Sequence, residues 1–193
     1  MSRASALVIV GAGGHGRSVL EAARLAGTHE VMAFLDDQLP PGTEVIGVPV
    51  WGPTSELPSL AARGVTSVHI AIGNNRVRER LMVQARAAGL TCATVVHPRA
   101  CVSPSASLGE GCAVMALAIV GTEATLGQGV IVNVGAVVDH HARVADHGHL
   151  GANAAMAGGT TLGARGWLQA GASLGYGVNL PDDAVVMPGE GRA

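Results

Sequence analysis

The chain has 193 residues, a formal net charge of −2 and 13% charged residues, and it contains no lysine. That balance gives no electrostatic reason to expect nucleic acid or an anionic membrane as a partner, and it leaves any phosphate site to arginine, backbone N–H groups or helix N-termini. Large aromatic rings are confined to Phe34, Trp51, Trp167 and Tyr176, so the core must be filled by small aliphatic side chains.

The apolar opening, Ala6 to Val10, is too short to span a bilayer, shows no cleavage-site pattern and runs into a glycine motif, so it predicts a folded strand and no membrane insertion. After it come Gly11-Ala12-Gly13-Gly14-His15-Gly16, a helix predicted over Ser18 to Ala26 and closed by Gly27, and a strand over Val31 to Leu35 ending in Asp36-Asp37. Strand, G-x-G-x-x-G, helix, strand and acid, with Asp36 twenty residues after Gly16, is the order of a nucleotide-binding βαβ unit. Glycine lets the backbone approach a pyrophosphate, and the helix N-terminus offers it unpaired N–H groups. His15 puts an imidazole at that end. A second strand–loop–helix unit runs through Val68 to Ile72, Gly73-Asn74-Asn75 and a helix from Arg76 to Ala88, and a strand over Leu90 to Val96 completes it. A dinucleotide needs two such mononucleotide halves, and ninety-five residues hold little more than one, so a nucleotide carrying one sugar fits better.

At His97-Pro98 the pattern changes, since proline disfavours helix before it. Counting back from Val186 to Val96, every sixth residue is aliphatic or methionine, sixteen positions without an insertion. The residue two before each is mostly small, as at Ala100, Ala106, Cys112, Ala118 and Ala124. Neither a helical period of 3.6 nor a strand period of 2 explains that stride, so it is a structural repeat with one large and one small side chain inward per hexapeptide. Glycine after the inward residue, as in Leu108-Gly109 and Leu150-Gly151, is expected to make tight corners by accepting φ > 0. Residues eighteen apart should stack on neighbouring coils, one strand spacing away. Cys92, Cys101 and Cys112 are odd in number and sit in apolar contexts, which predicts buried thiols in a reducing cytoplasm.

Chemistry concentrates in Asn133-Val134-Gly135-Ala136-Val137-Val138-Asp139-His140-His141, followed by His147 and His149. Stacking puts Gly158 on the coil after His140 and Thr122 on the coil before it. A glycine beside an imidazole leaves space for a ligand and an accessible N–H.

The repeat resembles the hexapeptide left-handed parallel β-helix, three hexapeptides to a triangular coil, and this resemblance supplies the left hand that spacing does not. The implied fold is an α/β nucleotide-binding domain, residues 1–95, followed by a left-handed parallel β-helix, residues 96–193. The glycine loop, Phe34-Leu35-Asp36-Asp37, Ala71-Ile72-Gly73-Asn74, His97-Pro98 and Asn133 to His140 together resemble the family of sialic-acid O-acetyltransferases and bacillosamine-pathway N-acetyltransferases. The resemblance implies a cytoplasmic homotrimer with active sites between subunits, acetyl-CoA as co-substrate, a nucleotide sugar as acceptor and no metal. It implies His140 as general base, His149 near the thioester, Asn133 against the acceptor and the Gly158 N–H at the oxyanion, with coenzyme along Gly158, Gly159 and Ala170 and with Arg165 a candidate for its pyrophosphate. Gly11, Gly13, Gly14, His15, Gly16, Asp36, Asp37, Gly73 and Asn74 are the expected nucleotide-sugar contacts. The family commonly has a carboxylate directly after the basic histidine, where this chain has His141. That leaves Asp139, or Glu123 eighteen residues before His141, to orient the base. N-acetylation of a UDP-linked aminosugar is the leading expectation, since the glycine-loop domain calls for a nucleotide, and sugar O-acetylation is the alternative. Two further readings are a three-histidine zinc enzyme, which needs a ligand histidine absent between His97 and His140, and a non-catalytic nucleotide-sugar-binding protein.

Overall fold

The computed structural model describes residues 5–193, and the chain divides into two compact units, Met1–Val95 and Val96–Ala193. In the first unit, β1 (Ser5–Val10), α1 (Gly14–Ala26), β2 (His29–Leu35), β3 (Glu44–Val45), β4 (Val48–Gly52), β5 (Ser67–Ile70), α2 (Asn75–Ala87) and β6 (Thr91–Cys92) follow one another. The sheet order is β3-β4-β2-β1-β5-β6, parallel except for the β3–β4 pair. Leu7, Val8, Ile9 and Val10 are all fully buried, as a parallel strand covered on both faces requires. The chain leaves β1 for β2 on one side and returns to β5 on the other. This reversal opens a crevice at the carboxyl ends of β1 and β5, the usual place for a ligand in such sheets. The strand expected over Leu90 to Val96 is in fact two. Thr91–Cys92 ends this sheet, whereas Val95–Val96 begins the first sheet of the second unit. Glu44 to Gly52 forms a hairpin of β3 and β4 that the short, proline-broken pattern had concealed.

The second unit is a left-handed β-helix of two-residue strands in three parallel sheets of six, six and five strands. Pairing joins residues eighteen apart throughout, as in Val120 with Val138 and Val138 with Met156. Each register residue is the second of its strand and points inward, so Val114, Val132, Val138, Leu150, Leu162 and Leu168 form one fully buried stack with the small residues two before them. In so narrow a core the second inward position is held by small residues, mostly Ala, Gly and Thr, with Cys112 and Val130 the larger buried exceptions. Cys101 is the first residue of its strand and points outward; it is exposed, unlike Cys92 and Cys112.

Left-handed backbone does not fall where the sequence suggested. From Gly111 to Gly189 every sixth residue has φ between +56° and +71°, three after the inward aliphatic residue, and His141, His147, Glu123 and Arg165 are among them. The glycines directly after the inward residue serve another purpose. A Cβ on Gly109 would come within 2.6 Å of Gln128 N, and one on Gly151 within 2.8 Å of Ala170 N, so glycine there lets one coil's backbone close against the next.

Candidate active site

Six residues carry the chain one side further around the triangle, so neighbours in sequence need not be neighbours in space. Asp139, His140, His141, Gly158 and Gly159 share one edge. Asn133 and Ala170 lie on a second, His147 and Arg165 on the third, and His149 on the face after that third edge. A single chain therefore does not bring together His140, Asn133 and His149, although seventeen residues contain all three.

The edge of His140 is the one with chemical shape. Gly158 lies on the next coil, and a Cβ on it would strike Cε1 and Nε2 of the imidazole. Gly158 O accepts from Gly177 N at 3.3 Å and His140 O accepts from Gly159 N at 3.0 Å, so stacked backbone holds the pair in place. Four N–H groups at this turn position are capped by side chains: Gln128 N by Asp146 Oδ1, Ala164 N by Asp182 Oδ1, Val134 N by Asn133 Oδ1 and His140 N by Asp139 Oδ1. Gly158 is followed one coil on by Tyr176, which cannot cap it, and its N–H has no acceptor among the described residues. Across the glycine, the His140 and Tyr176 rings stand 6.3 Å apart, with Tyr176 largely exposed. Sequence reasoning passed over Tyr176; its spacing of thirty-six from His140, two coils, was the available signal.

Beside His140 the second imidazole is close. His140 Nδ1 and His141 Nδ1 are 2.9 Å apart, and His141 Nε2 is 3.0 Å from Glu123 Oε2. Asp139 Oδ2 lies 3.9 Å from His140 Nε2, too far for a hydrogen bond. His149 is buried in its sheet face and stacks on Trp167 at 5.7 Å. Arg165, a candidate pyrophosphate ligand, holds Asp183 through Nε at 2.9 Å and Nη2 at 3.0 Å.

In the first unit, Gly11 (φ +103°) and Gly16 are required by packing. A Cβ on Gly11 would meet Ile72 Cδ1 at 2.7 Å and Ala71 O at 2.9 Å, and one on Gly16 would strike Gly11 O. At Gly13 and Gly14, by contrast, a Cβ would meet nothing within 4 Å. Gly13 is the N-cap of α1, with no side-chain cap. His15 is half-buried at the same helix start. Asp36 is spent on the chain itself, its Oδ2 accepting from Ala12 N at 2.7 Å and its Oδ1 from Gln38 N at 2.8 Å. Asp37 likewise holds Thr54 N at 2.7 Å. Asn74 caps α2, and the fully buried Arg78, unremarked in the sequence, donates to Ile72 O at 2.8 Å and Gly73 O at 3.3 Å, shaping the loop.

Among the described residues, no group of three or more His, Cys, Asp or Glu side chains is placed to hold a metal ion, and no helix is long and apolar enough to cross a membrane.

A corner imidazole over a glycine on hexapeptide coils, behind a glycine-loop α/β unit, defines an acyltransferase of the hexapeptide-repeat class. Residues 6–85 match the PglD N-terminal domain family. A GDP-perosamine N-acetyltransferase from Caulobacter crescentus, a histidine-to-alanine mutant in complex with CoA and GDP-perosamine, is 40% identical, with a TM-score of 0.93 over 98% of this chain and 89% of that one. The acetyltransferase domain of PglB from Neisseria gonorrhoeae, in complex with acetyl coenzyme A, is 36% identical, with a TM-score of 0.80 over 95% and 96% of the two chains. UDP-N-acetylbacillosamine N-acetyltransferase of Bacillus subtilis is 35% identical over 114 residues, 57% of this chain and 51% of that enzyme, so the match spans about half the length of this curated relative. The chain belongs to the nucleotide-aminosugar N-acetyltransferase family of hexapeptide-repeat acyltransferases.

Proposed function

We propose that this chain transfers the acetyl group of acetyl-CoA to the amino group of a nucleotide-linked aminosugar, working as a homotrimer. The observation that carries the reading is the His140–Gly158 corner, which sets an imidazole nitrogen and a backbone N–H side by side. Neutral His140 takes a proton from the sugar amine through Nε2 as the nitrogen adds to the thioester carbonyl. General-base help of this kind is worth roughly 10²–10⁴-fold. The carbonyl oxygen, gaining charge, accepts a hydrogen bond from Gly158 N–H, a contribution of about 10²–10³-fold in comparable sites. Collapse expels the coenzyme thiolate, which takes the proton back from His140, so no acetyl-enzyme forms. The open start of α1, at Gly13 and Gly14, receives the sugar nucleotide's phosphates. Because His140 lies on a different edge from Asn133 and His149, which sit side by side through Asn133 N–H and Leu150 O, a site using all three draws His140 from one chain and the other two from its neighbour.

Free thiol release from acetyl-CoA, measured against GDP- and UDP-linked aminosugars and their hydroxyl counterparts, tests this. Turnover only with the amines is expected, and at least a tenfold loss of kcat in His140→Ala. Turnover only with hydroxyl acceptors, or none with any sugar nucleotide, would overturn it.

A further inference from the structure

His141 stands where the family resemblance places a carboxylate against the base, and the stacked coils supply one by a longer route. Glu123 and His141 occupy the same position on successive coils, at φ +57° and +59°. Their backbones are pinned, His141 N donating to Thr122 O at 2.9 Å and Glu123 N to Ser105 Oγ at 3.1 Å. Stacking therefore sets the 3.0 Å approach of Glu123 Oε2 to His141 Nε2.

A carboxylate only accepts, so it selects the His141 tautomer protonated on Nε2. The Nδ1 of His141 is then a lone pair. Since His140 Nδ1 lies 2.9 Å from it, His140 must donate there and keep its own lone pair on Nε2, the atom beside Gly158. The opposite arrangement would turn an imidazole lone pair onto the carboxylate. Asp139 does not compete for this role: its Oδ1 accepts the His140 backbone N–H at 2.7 Å, and its Oδ2 is out of hydrogen-bonding range.

Building on the function proposed above, we infer that Glu123 and His141 form a positioning relay that holds His140 in its Nδ1–H tautomer. When Nε2 takes the amine proton, the imidazolium is stabilised through His141 by the Glu123 charge. No proton travels along the relay; the proton on Nε2 leaves with the thiol.

Nitrogen-15 NMR of the full-length protein without substrate, at a pH where both rings are neutral, reads the tautomers directly. His140 protonated on Nδ1 and His141 on Nε2 are expected, and His140 protonated on Nε2 would overturn the relay even if no substrate were known. For kinetics, Glu123→Asn suits the left-handed backbone but is too short to reach His141. It should lower kcat about tenfold, with both KM values within about twofold. In a His141→Glu background, where a carboxylate meets His140 directly, the same change should cost less than about twofold. An equal loss in both backgrounds, or none in the wild type, would overturn the relay while leaving the acetyltransferase reading intact.

Discussion

Gly158 lies so close to the His140 ring that a β-carbon on it would clash with the imidazole's Cε1 and Nε2 atoms. Gly158→Ala is therefore expected to push the ring off its line to the acceptor while leaving the aliphatic core untouched. Loss of kcat by about 100-fold with near-wild-type thermal stability is the expected result. Retention of more than a third of the activity would mean that the close approach does not position the base.

The glycine loop separates two kinds of glycine. Gly13→Val meets open space in the chain, so the variant should fold normally and raise KM for the sugar nucleotide while KM for acetyl-CoA stays within about twofold. Asp36→Ala should behave differently, because it strips acceptors from Ala12 N and Gln38 N. The buried Ala12 donor left without an acceptor costs about 1–3 kcal/mol, whereas the exposed Gln38 N–H is rehydrated, so a lower unfolding midpoint is expected before any kinetic effect. Denaturant titration beside steady-state kinetics on both variants distinguishes these outcomes.

Burial, the dominant cause, pushes His69 down to about 4, with the neighbouring Arg78 and His29 charges adding to it against the hydrogen bond to Ala93 O. The folded first unit therefore keeps His69 neutral, while the unfolded chain protonates it near 6.5. Stability from this group is complete above about 6.5 and is lost as pH falls toward 4, by up to about 3 kcal/mol. Urea unfolding followed by Trp51 fluorescence in a Trp167→Phe background should show this slope between pH 7 and 4.5. His69→Gln should flatten it.

Mixed oligomers of two variants test the proposed homotrimer and its site between chains. His140 and His149 lie on different sides of one β-helix, so His140→Ala and His149→Ala subunits should complement one another. With one head-to-tail site per interface, each mixed trimer carries one intact site, and an equal mixture should recover roughly a quarter of wild-type activity. No recovery in verified mixed trimers would place both histidines in one chain's site or remove His149 from the reaction.

The sequence by itself determined that residues 96–193 form a regular coil of hexapeptides. A six-residue stride of large and small side chains marked the repeat from Val96 to Val186 and located the His140–Gly158 stack through the interval of eighteen, while its left hand came from the family resemblance. The glycine motif likewise marked the turn between β1 and α1. What only the tertiary structure decided was where side chains end up around the triangle and which groups they spend themselves on. Asn133, His147 and His149 read as companions of His140 along the chain, yet each sixth residue turns a corner and parts them. Asp36 and Arg165 read as ligand contacts, and which partners they also hold within the chain, backbone N–H groups for one and Asp183 for the other, was not legible. The reason is that spacing encodes a direction in a regular fold, whereas a hydrogen-bond partner is chosen by whichever distant group the folded chain brings within about 3 Å. Glu123 and His141 show both at once: the stacking was legible in their interval of eighteen, and the link through His141 to His140 was not.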